Sequence, residues 1–212
     1  MKEKRNWFKI VLYWTVGQVF KLLFRVRAEG LENVPESGAL FCPNHADDLD
    51  PVLVGMCLPA AYRLNVMAKS ELFHNPLVGW FLGKLGAFPV NRDGTDVQAV
   101  KTAIKILRGG GTLLIFSEGT TVRNGVGYHD GLPAHAHSGA AMIAVRTGAV
   151  LIPVFLGGKK RMFHPTRIVF GKPYTPTYSG RHGTSEELQS IADDVLREAY
   201  LLGGQAVGGL PL

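Results

Sequence analysis

Short, largely apolar runs recur along this chain, and each stops at a turn. Residues 38–42, 62–69, 112–116 and 150–156 are such runs. A run of this length between turn residues reads as a buried strand. Segments with helical periodicity lie between them. Over residues 96–108, Val97, Val100, Ile104 and Leu107 share one face, Thr95 stands at the capping position, and Gly109-Gly110-Gly111 ends the helix. Further helices are expected over residues 51–57, 72–85, 139–146 and 185–202, and further short strands from Val26, over 86–90 and over 166–170. This alternation restricts the chain to the α/β class, with a mostly parallel or mixed sheet covered by helices on both faces. Pro153 cannot donate to a ladder, which predicts an edge strand or a bulge over 150–156. The segment 72–85, with Trp80, Phe81 and Leu82, is apolar enough to expect it in the core.

A chain of 212 residues suits one domain with a single sizeable core. Cys42 and Cys57 are its only cysteines, too few for a disulfide framework and consistent with a reducing compartment. The net charge of +6 is unevenly placed. Residues 1–27 carry Lys2, Lys4, Arg5, Lys9, Lys21, Arg25 and Arg27 against Glu3 alone, and in the remainder basic and acidic residues cancel. A neutral body argues against a nucleic-acid-binding face. A basic N-terminus argues for contact with an anionic surface.

Residues 6–26 read as one long helix with Trp7, Tyr13 and Trp14, and its longest uncharged run, from Ile10 to Phe20, is 11 residues. A spanning helix needs roughly 20 apolar residues. An amphipathic helix lying in the interface, with aromatics at headgroup level and Lys and Arg toward anionic lipid, fits better. The expected organisation is a membrane-association helix over 1–27, a folded α/β domain over 28–202 and a flexible tail over 203–212.

Polar groups cluster where the strands end. The first such stretch is Asn44-His45-Ala46-Asp47-Asp48-Leu49-Asp50-Pro51. Histidine titrates near neutrality, and a carboxylate on its far ring nitrogen fixes the tautomer. Residues five apart do not face each other on one helix. His45 and Asp50 therefore meet only if His45 stands on the loop and Asp50 in the first helical turn. Asp50 before Pro51 also fits a helix cap, and Asp47 and Asp48 read as solvated turn carboxylates. Arg92 follows a later strand, and Glu118-Gly119-Thr120 a third. In open α/β sheets, ligands bind beyond the strand C-termini.

Taken in order, these blocks resemble the glycerolipid acyltransferases, the 1-acyl-sn-glycerol-3-phosphate acyltransferase family. Asn44-His45 with Asp50 resembles its first block, and Gly86-Ala87-Phe88-Pro89-Val90-Asn91-Arg92 its second. Phe116-Ser117-Glu118-Gly119-Thr120 resembles the third, and Leu151-Ile152-Pro153-Val154 the fourth. The chain departs from the family pattern at Asn91, Ser117, Thr121 and Ser138. Thr121 in place of the usual arginine weakens the expected clamp on an acceptor phosphate.

The resemblance implies that His45 is the general base, oriented by Asp50, and that Arg92, Glu118, Gly119 and Thr120 hold the head group of a lysophospholipid. The implied donor is acyl-CoA or acyl carrier protein. No metal or cofactor is implied, and the implied location is the cytoplasmic face of a membrane. The segment around Trp80 is a candidate lining for an acyl path. Four other readings stay open: an acyl-enzyme on Cys42, a metal site at His129, His135 and His137, a catalytically silent membrane-bound lipid-binding protein, and an acyltransferase for a different lysolipid acceptor.

Overall fold

A computed structural model of the chain describes residues 15, 17–19, 21–59, 62, 64–91, 96–119, 121, 128–129, 132–133, 136–157 and 160–204. Its strands are β1 (Val26–Glu29), β2 (Ala39–Pro43), β3 (Leu64–Lys69), β4 (Ala87–Val90), β5 (Thr112–Leu114), β6 (Tyr128–His129), β7 (Leu132–Pro133), β8 (Val150–Leu156) and β9 (Thr166–Phe170). Its α-helices are α1 (Asp50–Cys57), α2 (Pro76–Lys84), α3 (Val97–Arg108), α4 (Gly139–Thr147) and α5 (Ser185–Leu202).

Seven strands form one sheet in the order β1-β9-β8-β2-β5-β3-β4, while β6 and β7 pair antiparallel with each other. The five strands β8, β2, β5, β3 and β4 run parallel. β9 is antiparallel to β8, and β1 is parallel to β9. Five strand C-termini therefore share one edge. β2 lies between β5 and β8, so the loops leaving these three strands emerge side by side.

Side chains of β2 alternate between two cores. Ala39 and Phe41 join Leu53, Val54, Cys57, Leu114, Ile152 and Phe170 on the α1 side. Leu40 and Cys42 join Leu113, Leu151 and residues of α3, α4 and α5 on the other. This is the period-2 signature of a strand buried on both faces, and it explains why the sequence of β2 is continuously apolar. α5 starts at a capping box, in which Thr184 accepts from the Glu187 N–H and the Glu187 carboxylate accepts from the Thr184 N–H.

Several local expectations are corrected. β8 is an interior strand, so Pro153 does not mark an edge. Leu151 pairs with Tyr174 and Val154 with Phe170, so three steps on β8 match four on its neighbour. The Pro153 carbonyl accepts from the Gly171 N–H at 2.8 Å, which turns its donorless nitrogen toward this break in the ladder. The cap of α3 is Asp96, whose carboxylate accepts from the N–H groups of Gln98 and Ala99; Thr95 precedes it, outside the described residues. Segment 72–85 divides into a 3-10 turn, Ser70–Phe73, and α2, with Asn75 as cap and Pro76 as first residue.

α2 buries none of its residues: Leu77 is 77% exposed, Trp80 64% and Phe81 56%. It is a surface helix, because it packs mainly on the short turn before it and on the edge strand β4. Of the N-terminal helix, residues 15, 17–19 and 21–23 are described and helical, and the rest lies outside the described residues. The helix stops at Leu23, short of residue 26, because Val26 is already paired in β1. Gly17 is buried, and a Cβ there would lie 3.7 Å from Met56 of α1.

Phe41 is fully buried at the centre of the sheet, and its ring meets that of Phe170 edge-on at 5.9 Å. Truncation there removes a large side chain from a site with no room to collapse. Phe41→Ala is expected to cost about 3–5 kcal/mol, read as a lower midpoint in urea unfolding with an unchanged slope.

Candidate active site

The loop between β2 and α1 is fixed from both sides. Asn44 is buried, and its side chain behaves like one more strand residue. Its amide donates to the Leu156 carbonyl at 3.1 Å, and its oxygen accepts from the Leu156 N–H at 2.7 Å. These bonds tie the exit of β2 to the end of β8. On the other side, the His45 N–H donates to Glu118 Oε2 at 2.8 Å, tying the loop to the end of β5.

His45 stands on this loop and Asp50 is the first residue of α1, with His45 Nδ1 and Asp50 Oδ2 at 3.2 Å. The same carboxylate oxygen accepts from the N–H groups of Ala46 and Asp47, each at 2.7 Å. The carboxylate thus turns back onto the loop rather than forward over its own helix, so Asp50 is not the helix cap. Leu49 occupies that position, without a side-chain cap bond. Asp47 is also more than a solvated carboxylate. It is half-buried, and it accepts from the N–H groups of Leu49 at 3.1 Å and Lys160 at 3.4 Å. Asp48 is exposed.

An ionised carboxylate only accepts, so the pairing calls for a hydrogen on Nδ1 of His45 and leaves Nε2 as the ring nitrogen turned away from Asp50. The imidazole stacks on Phe116, with ring centroids 3.9 Å apart and an interplanar angle of 24°. The pairing and the stack together fix the ring, which is the requirement for a positioned general base.

Glu118 is buried at 5% exposure. One oxygen accepts from the His45 N–H and the other from the Tyr200 hydroxyl of α5. Burial raises its pKa above the ordinary carboxylate range, against the opposing pull of these two hydrogen bonds. The contacts of the Glu118 carboxylate therefore run into the fold, to the β2–α1 loop that carries His45 and to α5. Gly119 has φ +69°, and a Cβ there would come within 2.5 Å of the His137 ring. Only glycine lets the turn pass that ring. Arg92 and Thr120 lie outside the described residues.

Four contributors escaped the sequence reading: Asn44 as the loop's tie to β8, Phe116 as the stacking partner, Tyr200, and Lys160. The Lys160 ammonium lies 2.9 Å from Asp50 Oδ1, with both side chains fully buried, and donates to the Gly157 carbonyl at 2.7 Å. Lysine is rarely buried, and nothing in the run Gly157-Gly158-Lys159-Lys160 separates this one from a surface residue.

Cys42 is 1% exposed among the residues packed under α3 to α5, and burial pushes its thiol up to about 12. A thiol this deeply buried and pushed away from ionisation lacks the exposed, thiolate-favouring setting of a nucleophile, which argues against the acyl-enzyme reading. For the metal reading, His135 lies outside the described residues, and among the described residues no cluster of three or more His, Cys, Asp or Glu side chains has a ligating arrangement.

Glu118 supplies a test by pH. A carboxyl whose pKa is raised on folding binds its proton more tightly in the folded state. Its stabilising contribution is complete below the unfolded value, about 4.3, and is lost as pH rises through the folded value. Glutamine has no such dependence. The Tm of Glu118→Gln minus that of the unaltered protein is therefore expected to increase from pH 4.3 toward pH 7, measured by thermal melts across that range.

A family model described as Acyltransferase matches residues 25–157, which contain the dyad, the Glu118 turn and strands β2 to β8. The 1-acyl-sn-glycerol-3-phosphate acyltransferase of Bacillus subtilis (strain 168) is 36% identical over 155 residues, 70% of this chain and 73% of that protein. The chloroplastic 1-acyl-sn-glycerol-3-phosphate acyltransferase LPAT1 of Arabidopsis thaliana is 28% identical over 139 residues, 64% of this chain and 36% of its longer relative. The crystal structure of the 1-acyl-sn-glycerophosphate (LPA) acyltransferase PlsC from Thermotoga maritima superposes with a TM-score of 0.69 at 25% identity, covering 96% of this chain and 83% of that one. The mostly parallel sheet, the order of the strand-end motifs and these matches agree: the chain belongs to the acyltransferase family and is an acyltransferase.

Proposed function

We propose that the protein transfers a fatty acyl group from an acyl thioester to the free hydroxyl of a lysophospholipid, with 1-acyl-sn-glycerol 3-phosphate as acceptor and phosphatidic acid as product. The observation that carries this reading is the His45–Asp50 pair, on a loop held from two neighbouring strands. His45 Nε2 takes the proton of the acceptor hydroxyl as its oxygen attacks the thioester carbonyl carbon. The carbon–sulfur bond then breaks, and the imidazolium returns the proton to the leaving thiolate. Asp50 holds the tautomer and stabilises the imidazolium. Acyl-CoA or acyl carrier protein is the donor, and direct attack calls for no metal or cofactor. In this reading Arg92, Gly119 and Thr120 face the head group, while Glu118 shapes the same turn from within. The names of the relatives in Bacillus subtilis and Thermotoga maritima support the choice of acceptor.

The protein works at an anionic membrane surface, on the cytoplasmic side where these donors are found. The charge excess of residues 1–27 supports this reading, as does the exposed apolar face of α2. Trp80 is amphipathic, and the Lys84 ammonium lies 5.9 Å from its ring centroid, a pairing suited to the headgroup layer. Among the described residues no helix is long and apolar enough to cross a membrane. Attachment at the interface is the mode proposed.

Release of CoA thiol from a long-chain acyl-CoA, with a panel of lysophospholipids as acceptors, tests the chemistry. Turnover is expected with 1-acyl-sn-glycerol 3-phosphate. Loss of a positioned base is worth about 10²–10⁴-fold, so His45→Ala is expected to drop by at least 10²-fold, while Cys42→Ala stays within a few-fold. Retained turnover in His45→Ala, or vesicle binding without any thiol release, would overturn the reading. Separately, co-sedimentation with anionic vesicles is expected to weaken about tenfold or more in Trp80→Ser/Phe81→Ser and on deletion of residues 1–14, and to weaken with added salt.

A further inference from the structure

We propose that Lys160 is a positioning residue for the His45–Asp50 pair: its buried ammonium locks the Asp50 carboxylate, and its charge offsets that of Asp50 at the His45 ring. The inference rests on the reading of His45 as base.

Asp50 is fully buried, and its two oxygens are used differently. Oδ2 collects His45 Nδ1 and the N–H groups of Ala46 and Asp47. Oδ1 faces the Lys160 ammonium at 2.9 Å. Three hydrogen bonds converge on Oδ2, whereas Oδ1 makes no hydrogen bond among the described residues, so its ion pair with the buried ammonium is the second point at which the carboxylate is held. Lys160 is itself fixed, through its ammonium to the Gly157 carbonyl at 2.7 Å and through its backbone N–H to Asp47 Oδ2 at 3.4 Å. The segment after β8, which supplies no catalytic group in the reading above, thereby holds the orienting acid from behind.

The second part concerns charge. The groups facing the dyad come from four elements. The β2–α1 loop and the start of α1 bring Asp47 and Asp50. The end of β5 brings Glu118, the interior face of α5 brings Tyr200, and the end of β8 brings Lys160. A carboxylate beside an imidazole favours the protonated ring. With its own proton already in place, His45 has no lone pair for an acceptor hydroxyl. A cation on the far oxygen of Asp50 counters that bias while leaving the hydrogen bond intact. The expected consequence of removing that cation is an acid limb of activity moved toward higher pH. The Lys160 side chain is fully buried and bonded inward, so substrate affinity is not its task.

The test compares full-length unaltered protein with Lys160→Met, using thiol release from a long-chain acyl-CoA with 1-acyl-sn-glycerol 3-phosphate across pH 5.5 to 9, a range chosen to bracket histidine titration. Expected are a kcat lowered about tenfold or more at pH 7, KM within twofold, and an acid limb of kcat/KM moved up by about one pH unit, the scale of one charge acting through an effective dielectric near 20. Lys160→Gln, which keeps a polar end for the Gly157 carbonyl, carries the same comparison if the methionine variant does not fold. Overturning results are a folded variant with unchanged kcat and unchanged acid limb, or one whose KM rises while kcat holds. The His45 ring resonances, titrated by NMR in unaltered and variant protein without substrate, supply an arm independent of turnover. Their midpoint is expected to rise in the variant, and an unmoved midpoint overturns the proposal. If the unaltered protein shows no turnover, the functional reading fails while the NMR arm still decides the role of Lys160.

Discussion

A carboxylate taken wholly out of water needs hydrogen bonds and an opposite charge in place of that water, and Asp50 is such a group. Burying an ionised carboxylate costs several kcal/mol unless hydrogen bonds and an opposite charge replace the lost water. Two backbone N–H groups, an imidazole and an ammonium do so here. Each donor constrains geometry. The N–H groups of Ala46 and Asp47 dictate the path of the loop, Nδ1 dictates the ring, and the ammonium brings in the segment after β8. The loop at the heart of the site is shaped by the needs of one buried anion.

That arrangement is possible because of the sheet. Parallel neighbours put the ends of β8, β2 and β5 side by side, so Lys160, His45 and Glu118 converge although more than a hundred residues separate the first from the second. Asn44 and Glu118 then act as lateral ties, one toward each neighbour. The Tyr200 hydroxyl carries the second tie on into α5. The C-terminal helix, which carries no motif of the site, thus sits two hydrogen bonds from His45.

The alternating elements and the pairing of His45 with Asp50 were legible in the sequence because they depend on local signals. Apolar runs mark strands, helical period marks α3, and a spacing of five excludes a shared helix face. Residues 166–170 and 185–202 were placed without error for the same reason. What depends on distant partners was not legible. Lys160 looks like any surface lysine until β8 is laid beside β2. Tyr200 looks like one more apolar position of an amphipathic helix. Pro153 pointed to an edge by a sound rule, yet a one-residue slip against 171–173 accommodates it inside the sheet. Trp80 and Phe81 read as core because composition records how apolar a helix is, and not whether anything covers it.

The two cysteines occupy opposite sides of the sheet, Cys42 on β2 facing α3 to α5 and Cys57 in the last turn of α1. A disulfide needs α-carbons within about 7 Å of each other, and here the sheet stands between the sulfurs. Burial also pushes both thiols up, Cys57 to about 11. Oxidants and alkylating agents therefore meet no ready thiolate while the fold is closed. Sulfur chemistry on this chain thus calls for a local or global opening that first brings a thiol to solvent.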